Sequence, residues 1–215
     1  MNKMTTTSYA LLALLARRPW SAYDITQYMK LSPLRRVWPR AESRIYQEPK
    51  KLVEYGLAEV REEYSGKRKR TIYCITPAGR KALKQWLGGE TSPSEYKYEL
   101  LVKLLSADHG TRADVQRLLD EAKAHALEEA ALIRQGIETV LDEGFKMPEM
   151  CEFNTWIVRY MVNDIESRLR WIQQMQTRVG DLAEQSPGAN EQLAREEYRL
   201  EMARIDELLT SALLA

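Results

Sequence analysis

Apolar residues recur at helical spacing at the start of the chain, switch briefly to alternation, then return to helical spacing to the end. Ser8 through Ala16 reads as a short buried helix, closed by the approach to Pro19, which disfavours helical geometry in the residue before it. Its apolar run from Tyr9 meets Arg17-Arg18-Pro19 and a further helix-like pattern, as a core helix does and a secretory signal does not. Ser21-Ala22-Tyr23-Asp24 is a capping-box variant, with Ser21 as N-cap and Asp24 at N3. It predicts a second helix carrying Tyr23, Ile25, Tyr28 and Met29 to Leu31. Pro33 and Pro39 bracket a connection holding Arg35, Arg36 and Trp38. A third helix is expected from near Pro39 to Gly56, which are suitable first-turn and C′ residues.

Past Gly56 the period changes. Leu57 to Glu62 alternates apolar with polar, and Thr71-Ile72-Tyr73-Cys74-Ile75 is β-branched and aromatic, which predicts two strands. Between them lies Ser65-Gly66, a turn signal, followed by Lys67-Arg68-Lys69-Arg70. The expectation is a β-hairpin with a basic tip. Thr76-Pro77 then offers an N-cap and an N1 proline for a helix through Leu83, Trp86 and Leu87, closed by Gly88-Gly89.

Glu90-Thr91-Ser92-Pro93-Ser94 is a linker, and the remainder of the chain is helical almost throughout. One short helix is expected over Tyr96–Leu105. Thr111-Arg112-Ala113-Asp114 is a second capping-box variant that opens a long helix to Asp142, with Gly136 as a weak point. After a break at Gly144–Pro148, apolar residues from Phe153 to Val179 recur at three- and four-residue spacing, which predicts one long amphipathic helix. Ser186-Pro187-Gly188 separates it from a last helix over 190–213. The fold class is therefore mainly α with a small β-hairpin. A unit at 1–89 precedes an all-helical, antiparallel or coiled-coil-like unit at 90–215.

Charge sharpens that division. The 215 residues hold 32 Lys+Arg and 31 Asp+Glu, but residues 1–89 carry 18 of the basic and only 7 of the acidic ones. A basic first unit (+11) joined to an acidic second one (−10) points to a nucleic acid or another anionic partner for the first. Two cysteines, Cys74 and Cys151, give no disulfide framework and suit a reducing, cytoplasmic setting. No apolar run is long enough to span a membrane.

The third helix brings the strongest chemistry. With Ile45 on the inner face, Leu52 and Ala41 fall beside it at 100° per residue. The opposite face then carries Arg40, Ser43, Gln47 and Lys50, flanked by Arg44 and Lys51; Tyr46 lies between the two faces, as a contact or as core. Arg suits guanine edges in a major groove, Gln suits adenine and Ser suits either. Taken alone, such a face is as well explained by solvation. Next to Lys67, Arg68, Lys69 and Arg70, which suit phosphates or a minor groove, it reads as the recognition helix and wing of a winged helix-turn-helix. A protein-interaction module whose basic face meets an acidic partner is the alternative.

Tyr23-Asp24-Ile25, Ile45-Tyr46 with Leu52 and Gly56-Leu57, and Tyr73-Cys74-Ile75-Thr76-Pro77-Ala78-Gly79 together resemble the PadR family of transcriptional regulators. The resemblance is specific over residues 8–88 and looser over 92–180, where Tyr98-Glu99-Leu100, Lys103-Leu104 and the Trp171 helix look like that family's longer C-terminal domain. It implies an N-terminal winged helix that binds duplex DNA, a helical domain that dimerises, and, for most members, repression. Two positions depart from the pattern. Ser21-Ala22 stands where many members have His-Gly, and Pro49 stands where they usually have leucine. A mid-helix proline removes a backbone hydrogen bond, so the third helix is expected to kink after Gln47 or to end a reading segment there.

In the second unit, Phe153, Trp156, Ile157, Tyr160, Met161, Ile165, Trp171 and Ile172 are candidates for the dimer interface. At helical spacing Trp156, Tyr160 and Trp171 read first as core or helix–helix packing; the alternative, suggested by the resemblance, is that they line a pocket for an unidentified small-molecule effector. Enzymatic chemistry finds no footing. His109 and His125 lack partners at ligand spacing, Gly88-Gly89 follows a helix instead of leading one, and Cys74 has no nearby histidine. No cofactor or metal is expected.

Overall fold

The computed structural model describes residues 4–32, 38, 41–65, 68–181 and 187–213. Its helices are α1 (Thr6–Leu15), α2 (Ala22–Leu31), α3 (Glu42–Glu54), α4 (Pro77–Leu87), α5 (Glu99–Leu104), α6 (Arg112–Glu143), α7 (Cys151–Asp181) and α8 (Pro187–Leu213). One antiparallel sheet holds β1 (Trp20–Ser21), β2 (Ala58–Ser65) and β3 (Arg68–Ile75) in the order β1-β3-β2. Single 3₁₀ turns fall at Ala107–His109 and Pro148–Met150.

α1 begins two residues before the expected Ser8, because Thr5 is its N-cap and Ser8 closes the capping box from N3. Leu11, Leu12, Leu14 and Leu15 are all buried, so α1 is surrounded rather than amphipathic. Trp20, Ile25, Met29, Ile45, Leu52, Ala58 and Tyr73 complete the core around it. Trp20 enters with its indole N–H donating to the Leu14 carbonyl at 3.0 Å. Its two-residue strand, too short for any period to announce, pairs Trp20 with Tyr73 and Ser21 with Ile72. The hairpin strands run further than alternation suggested, Ala58 opposite Ile75 through Ser65 opposite Arg68, so Lys69 and Arg70 belong to β3 rather than to a tip.

α3 starts at Glu42 with Ala41 as N-cap; Ala41 is exposed, not on the inner face, and Pro39 lies outside the described residues. The helix does not end at Pro49. The helix runs through it to Glu54, and the proline ring is fully buried, so packing offsets the lost hydrogen bond. Gly56 (φ +69°) then ends the helix in a Schellman motif, its N–H bonding the Val53 carbonyl and that of Leu57 bonding Leu52.

The Thr76 cap forms as expected, its hydroxyl oxygen accepting from the Gly79 N–H at 3.1 Å and donating to the Gly56 carbonyl at 2.7 Å. α4 therefore starts pressed against the turn after α3. Gly79 is required there: a Cβ would stand 2.2 Å from the Leu57 carbonyl oxygen and 2.8 Å from Ile75 Cγ1.

By packing, the described chain groups into two compact units: residues 1–97 with 130–163, and residues 98–129 with 164–215. The first thus includes the ends of α6 and α7 that meet at Gly144 (φ +82°). Met147, between those helices, is buried in the core around α1, with Met150 packed beside it. In the second unit, Leu100, Leu119, Ala122, Ile172 and Val179 form the core, and Trp171 and Met175 pack on it. Thr111 and Asp114 complete a capping box; hydrogen bonds from the Thr111 hydroxyl and N–H hold the Asp114 carboxyl below the usual range. α6 continues through Gly136 without a break, α5 is shorter than expected, and α8 begins at Pro187.

The two glycines predict opposite outcomes. Gly79→Ala forces carbon into the Leu57 carbonyl and is expected to destabilise the fold by about 1–3 kcal/mol. Gly136 has nothing within 4 Å of its Cβ position, so Gly136→Ala should stabilise by about 0.5–1 kcal/mol through helix propensity. Urea unfolding of both variants measures the two shifts.

Candidate nucleic-acid interface

α3 separates its residues cleanly. Ile45, Glu48, Pro49 and Leu52 face the interior, and Ser43, Arg44, Tyr46, Gln47, Lys50 and Lys51 face outwards. Glu48 is the surprise: a carboxylate 6% exposed, on the buried side of a helix whose other face is cationic. The Ser8 hydroxyl donates to its Oε1 at 2.5 Å, and Lys51 Nζ stands 3.3 Å from its Oε2. Ser8 in turn accepts from the Thr5 N–H, so a polar chain runs from the cap of α1 into α3. A signal for this was present, since position 48 lies three after Ile45 and four before Leu52, inside the buried stripe.

Tyr46 is 50% exposed. It sits close enough to Tyr73 to help burial push the Tyr73 hydroxyl above its ordinary range, burial being the larger cause. Trp38 donates from its indole to the Thr7 hydroxyl at 3.0 Å, tying the segment before α3 back to α1. Arg40 lies outside the described residues.

The wing cations are less free than their run suggests. Lys69 Nζ meets Glu62 Oε1 at 2.6 Å on the neighbouring strand. Arg70 folds back onto the start of α2, donating to Asp24 Oδ2 at 2.8 Å and to the Ser21 hydroxyl at 3.3 Å. Asp24 also accepts from the Ser21 hydroxyl, so the α2 cap and the wing share one carboxylate. Arg68 opens β3, its side chain falling outside those described, and Lys67 lies outside the described residues altogether. Among the described cations of this face, Arg44 and Lys50 have no carboxylate partner.

Of the residues expected at a dimer interface, Met161, Ile165 and Ile172 are buried within the single chain, because the face that carries them already packs inside it. Ile157 and Trp171 are half-buried. Phe153, Trp156 and Tyr160 are 56%, 58% and 65% exposed, the first two edge to face with centroids 5.3 Å apart. Among the described residues no cluster of His, Cys, Asp and Glu could hold a metal, and no helix is long and apolar enough to cross a membrane.

A buried helical core, a helix with an exposed cationic face third among the described helices, and a two-stranded wing with its α4 cap together have known counterparts. The Transcriptional regulator PadR-like family matches residues 11–85, from α1 into α4. Residues 11–85 are thus similar to the PadR-like family. The Negative transcriptional regulator PadR of Bacillus subtilis (strain 168) is 35% identical over 102 residues, which is 46% of this chain and 56% of that protein's length. The crystal structure of Bacillus subtilis PadR in complex with operator DNA is similar with a TM-score of 0.70 at 22% identity, over 81% of this chain and 99% of that one. The structure of the same protein in complex with p-coumaric acid is similar with a TM-score of 0.65, also at 22% identity, over 83% and 99%. The PadR-like fold thus extends past the winged helix into the helical region.

Glu48 gives a direct test of how α3 is held. Glu48→Ala leaves the Ser8 hydroxyl without its acceptor and opens a hole beneath the helix, and should cost about 1–3 kcal/mol of stability. Glu48→Gln, which keeps an acceptor oxygen, should cost less. Thermal unfolding of the pair at matched pH measures the difference.

Proposed function

We propose that this chain is a sequence-specific, duplex-DNA-binding transcriptional repressor that acts as a homodimer on a near-palindromic operator. The exposed face of α3 carries the reading: Ser43, Arg44, Gln47 and Lys50 project outwards from a helix whose other side is locked into the core. Arg44 and Gln47 are assigned to base edges, Lys50 and Lys51 to the groove and its flanking phosphates, and Tyr46 to the edge of the contact. The wing residues Lys67, Arg68, Lys69 and Arg70 are assigned to phosphates, which set position without reporting sequence. Lys69 and Arg70 exchange Glu62 and Asp24 for phosphate oxygens when they do so. Repression is supported by the name of the Bacillus subtilis relative, and operator binding by the complex in which that relative was solved.

Dimerisation is supported by apolar surface that the single chain leaves uncovered. Phe153, Trp156 and Tyr160 are exposed on α7. On α8, Tyr198, Met202, Ile205 and Leu209 succeed one another at spacings of four, three and four, a coiled-coil seam, and all are exposed. Exposed stripes of this size mark interfaces. A two-fold axis through this region would set the two α3 helices about 34 Å apart, or a multiple of that, along the duplex. An effector site involving the α7 aromatics belongs to the same reading, by analogy with the p-coumaric acid complex.

Three measurements test it. Gln47→Ala should lose about 1–3 kcal/mol of preference for the operator over random duplex while keeping most non-specific affinity. Lys69→Ala should weaken binding to every duplex alike and lower the slope of log affinity against log salt by about one. An operator preference unchanged by Gln47→Ala removes α3 from the major groove. Sedimentation at micromolar concentration should give a dimer of the full chain, and Tyr198→Glu/Ile205→Glu should shift it towards monomer.

A further inference from the structure

Among the described residues, the uncompensated charge of the winged-helix region is not confined to its reading face. Residues 1–23 and 64–89 contain no Asp or Glu. The end of α1 and the length of α4, which come from those two stretches, meet at one corner. There Arg17, Arg18, Arg80, Lys81 and Lys84 are all exposed, and none has a carboxylate partner among the described residues. On the reading side Arg44 and Lys50 are likewise without a carboxylate, while Lys51, Lys69 and Arg70 are each paired with an acid.

Two of the corner guanidiniums are fixed by the fold. Arg80 Nη1 donates to the Ala16 carbonyl at 3.1 Å, which satisfies the end of α1 and leaves the rest of its donors outward. The Arg18 guanidinium lies 4.0 Å from the Trp20 ring centroid, capping a buried indole. Both forks are therefore partly ordered before any ligand arrives, which lowers the entropy cost of binding, and a guanidinium matches phosphate bidentately.

The Arg18–Trp20 side of the corner is set back along β3 from the wing end, although Arg70 reaches the neighbouring Ser21. Trp20 pairs with Tyr73, five residues along β3 from Arg68 at the wing end. At about 3.3 Å per residue, that is some 17 Å back from the wing end of β3.

We infer that this corner is a second polyanion site, and that it holds the phosphate backbone of a second duplex while α3 holds the operator. The inference rests on the operator reading of α3. A duplex presents one charge per about 1.7 Å of axis, and each phosphate neutralised by a cation releases condensed counterions, so an acid-free group of five cations gains most from such a partner. The contact carries no sequence information, since no helix reads bases there. Its consequence is bridging: one dimer on its operator recruits unrelated DNA.

The test uses the full chain and two duplexes. One, selected by the protein from a random pool, is immobilised and saturated with protein; the other is fluorescent and of unrelated sequence. Wild type should retain the fluorescent duplex. Arg17→Ala/Arg80→Ala/Lys84→Ala should retain it roughly a hundredfold less well at 0.1 M salt, from the loss of three phosphate contacts, and bind the selected duplex within twofold of wild type. Because Arg80 also caps α1, Lys81→Glu/Lys84→Glu serves as a second variant that leaves both anchored arginines in place, and it should show the same loss. No retention by wild type, or retention unaffected by either variant, overturns the inference. So does a parallel loss of affinity for the selected duplex, which would assign the corner to the first contact. Displacement of the fluorescent duplex by polyglutamate at equal charge concentration would also overturn it, in favour of an acidic protein partner. Failure of the α3 reading is seen separately, as an unchanged operator preference in Gln47→Ala.

Discussion

A cationic helix face is useful only if the helix cannot roll, and in this chain rolling is opposed from inside by a charge. Glu48 points into the domain, where an unpaired carboxylate would cost several kcal/mol. The Ser8 hydroxyl and the Lys51 ammonium answer it. Any rotation of α3 large enough to move Gln47 across a groove would break the Ser8 contact and drag a charge through the leucines of α1. The hydrophobic stripe of Ile45 and Leu52 fixes which side is in. The buried carboxylate fixes the angle, and its hydroxyl partner belongs to the cap of α1, so a helix packed into the core sets the pose of the one proposed to read bases.

The remaining contacts of the winged helix show a similar economy, with single atoms serving two elements. Asp24 closes the α2 cap and receives Arg70 from the wing. Thr76 caps α4 and donates to the turn after α3. Gly79 lets α4 approach that turn at a distance no side chain tolerates. The wing is thus joined to α2, and α4 to the end of α3, by polar contacts whose loss would loosen two elements together.

The chain's letters disclosed what is local. Capping signals at Ser21, Thr76 and Thr111 each found a cap, and the alternation after Gly56 found the hairpin. The Tyr73-to-Gly79 motif pointed to the family whose model matches residues 11–85. The sequence did not disclose which charges would meet. Ser8 and Glu48 are 40 residues apart and Arg70 and Asp24 are 46 apart, and no periodicity reports such pairings. Pro49 is a related case. Its helix-breaking tendency is a local cost of about 3 kcal/mol, set against burial that only the assembled core supplies. Met161, Ile165 and Ile172 share that lesson: an apolar stripe reports that it will be covered, but not by which chain.

Met147 lies 58 residues beyond Gly89 in the chain, yet its side chain fills part of the core that α1, α2 and α3 enclose. The winged helix is therefore unfinished at its own C-terminal glycines. A fragment ending there would carry a vacancy where a buried methionine belongs, a defect of about 2–5 kcal/mol by the usual cost of emptying such a site. Cleavage within the linker is a different matter, because it severs the backbone but leaves the methionine seated. The two pieces should then remain associated through that side chain and its neighbours, as complementing fragments do.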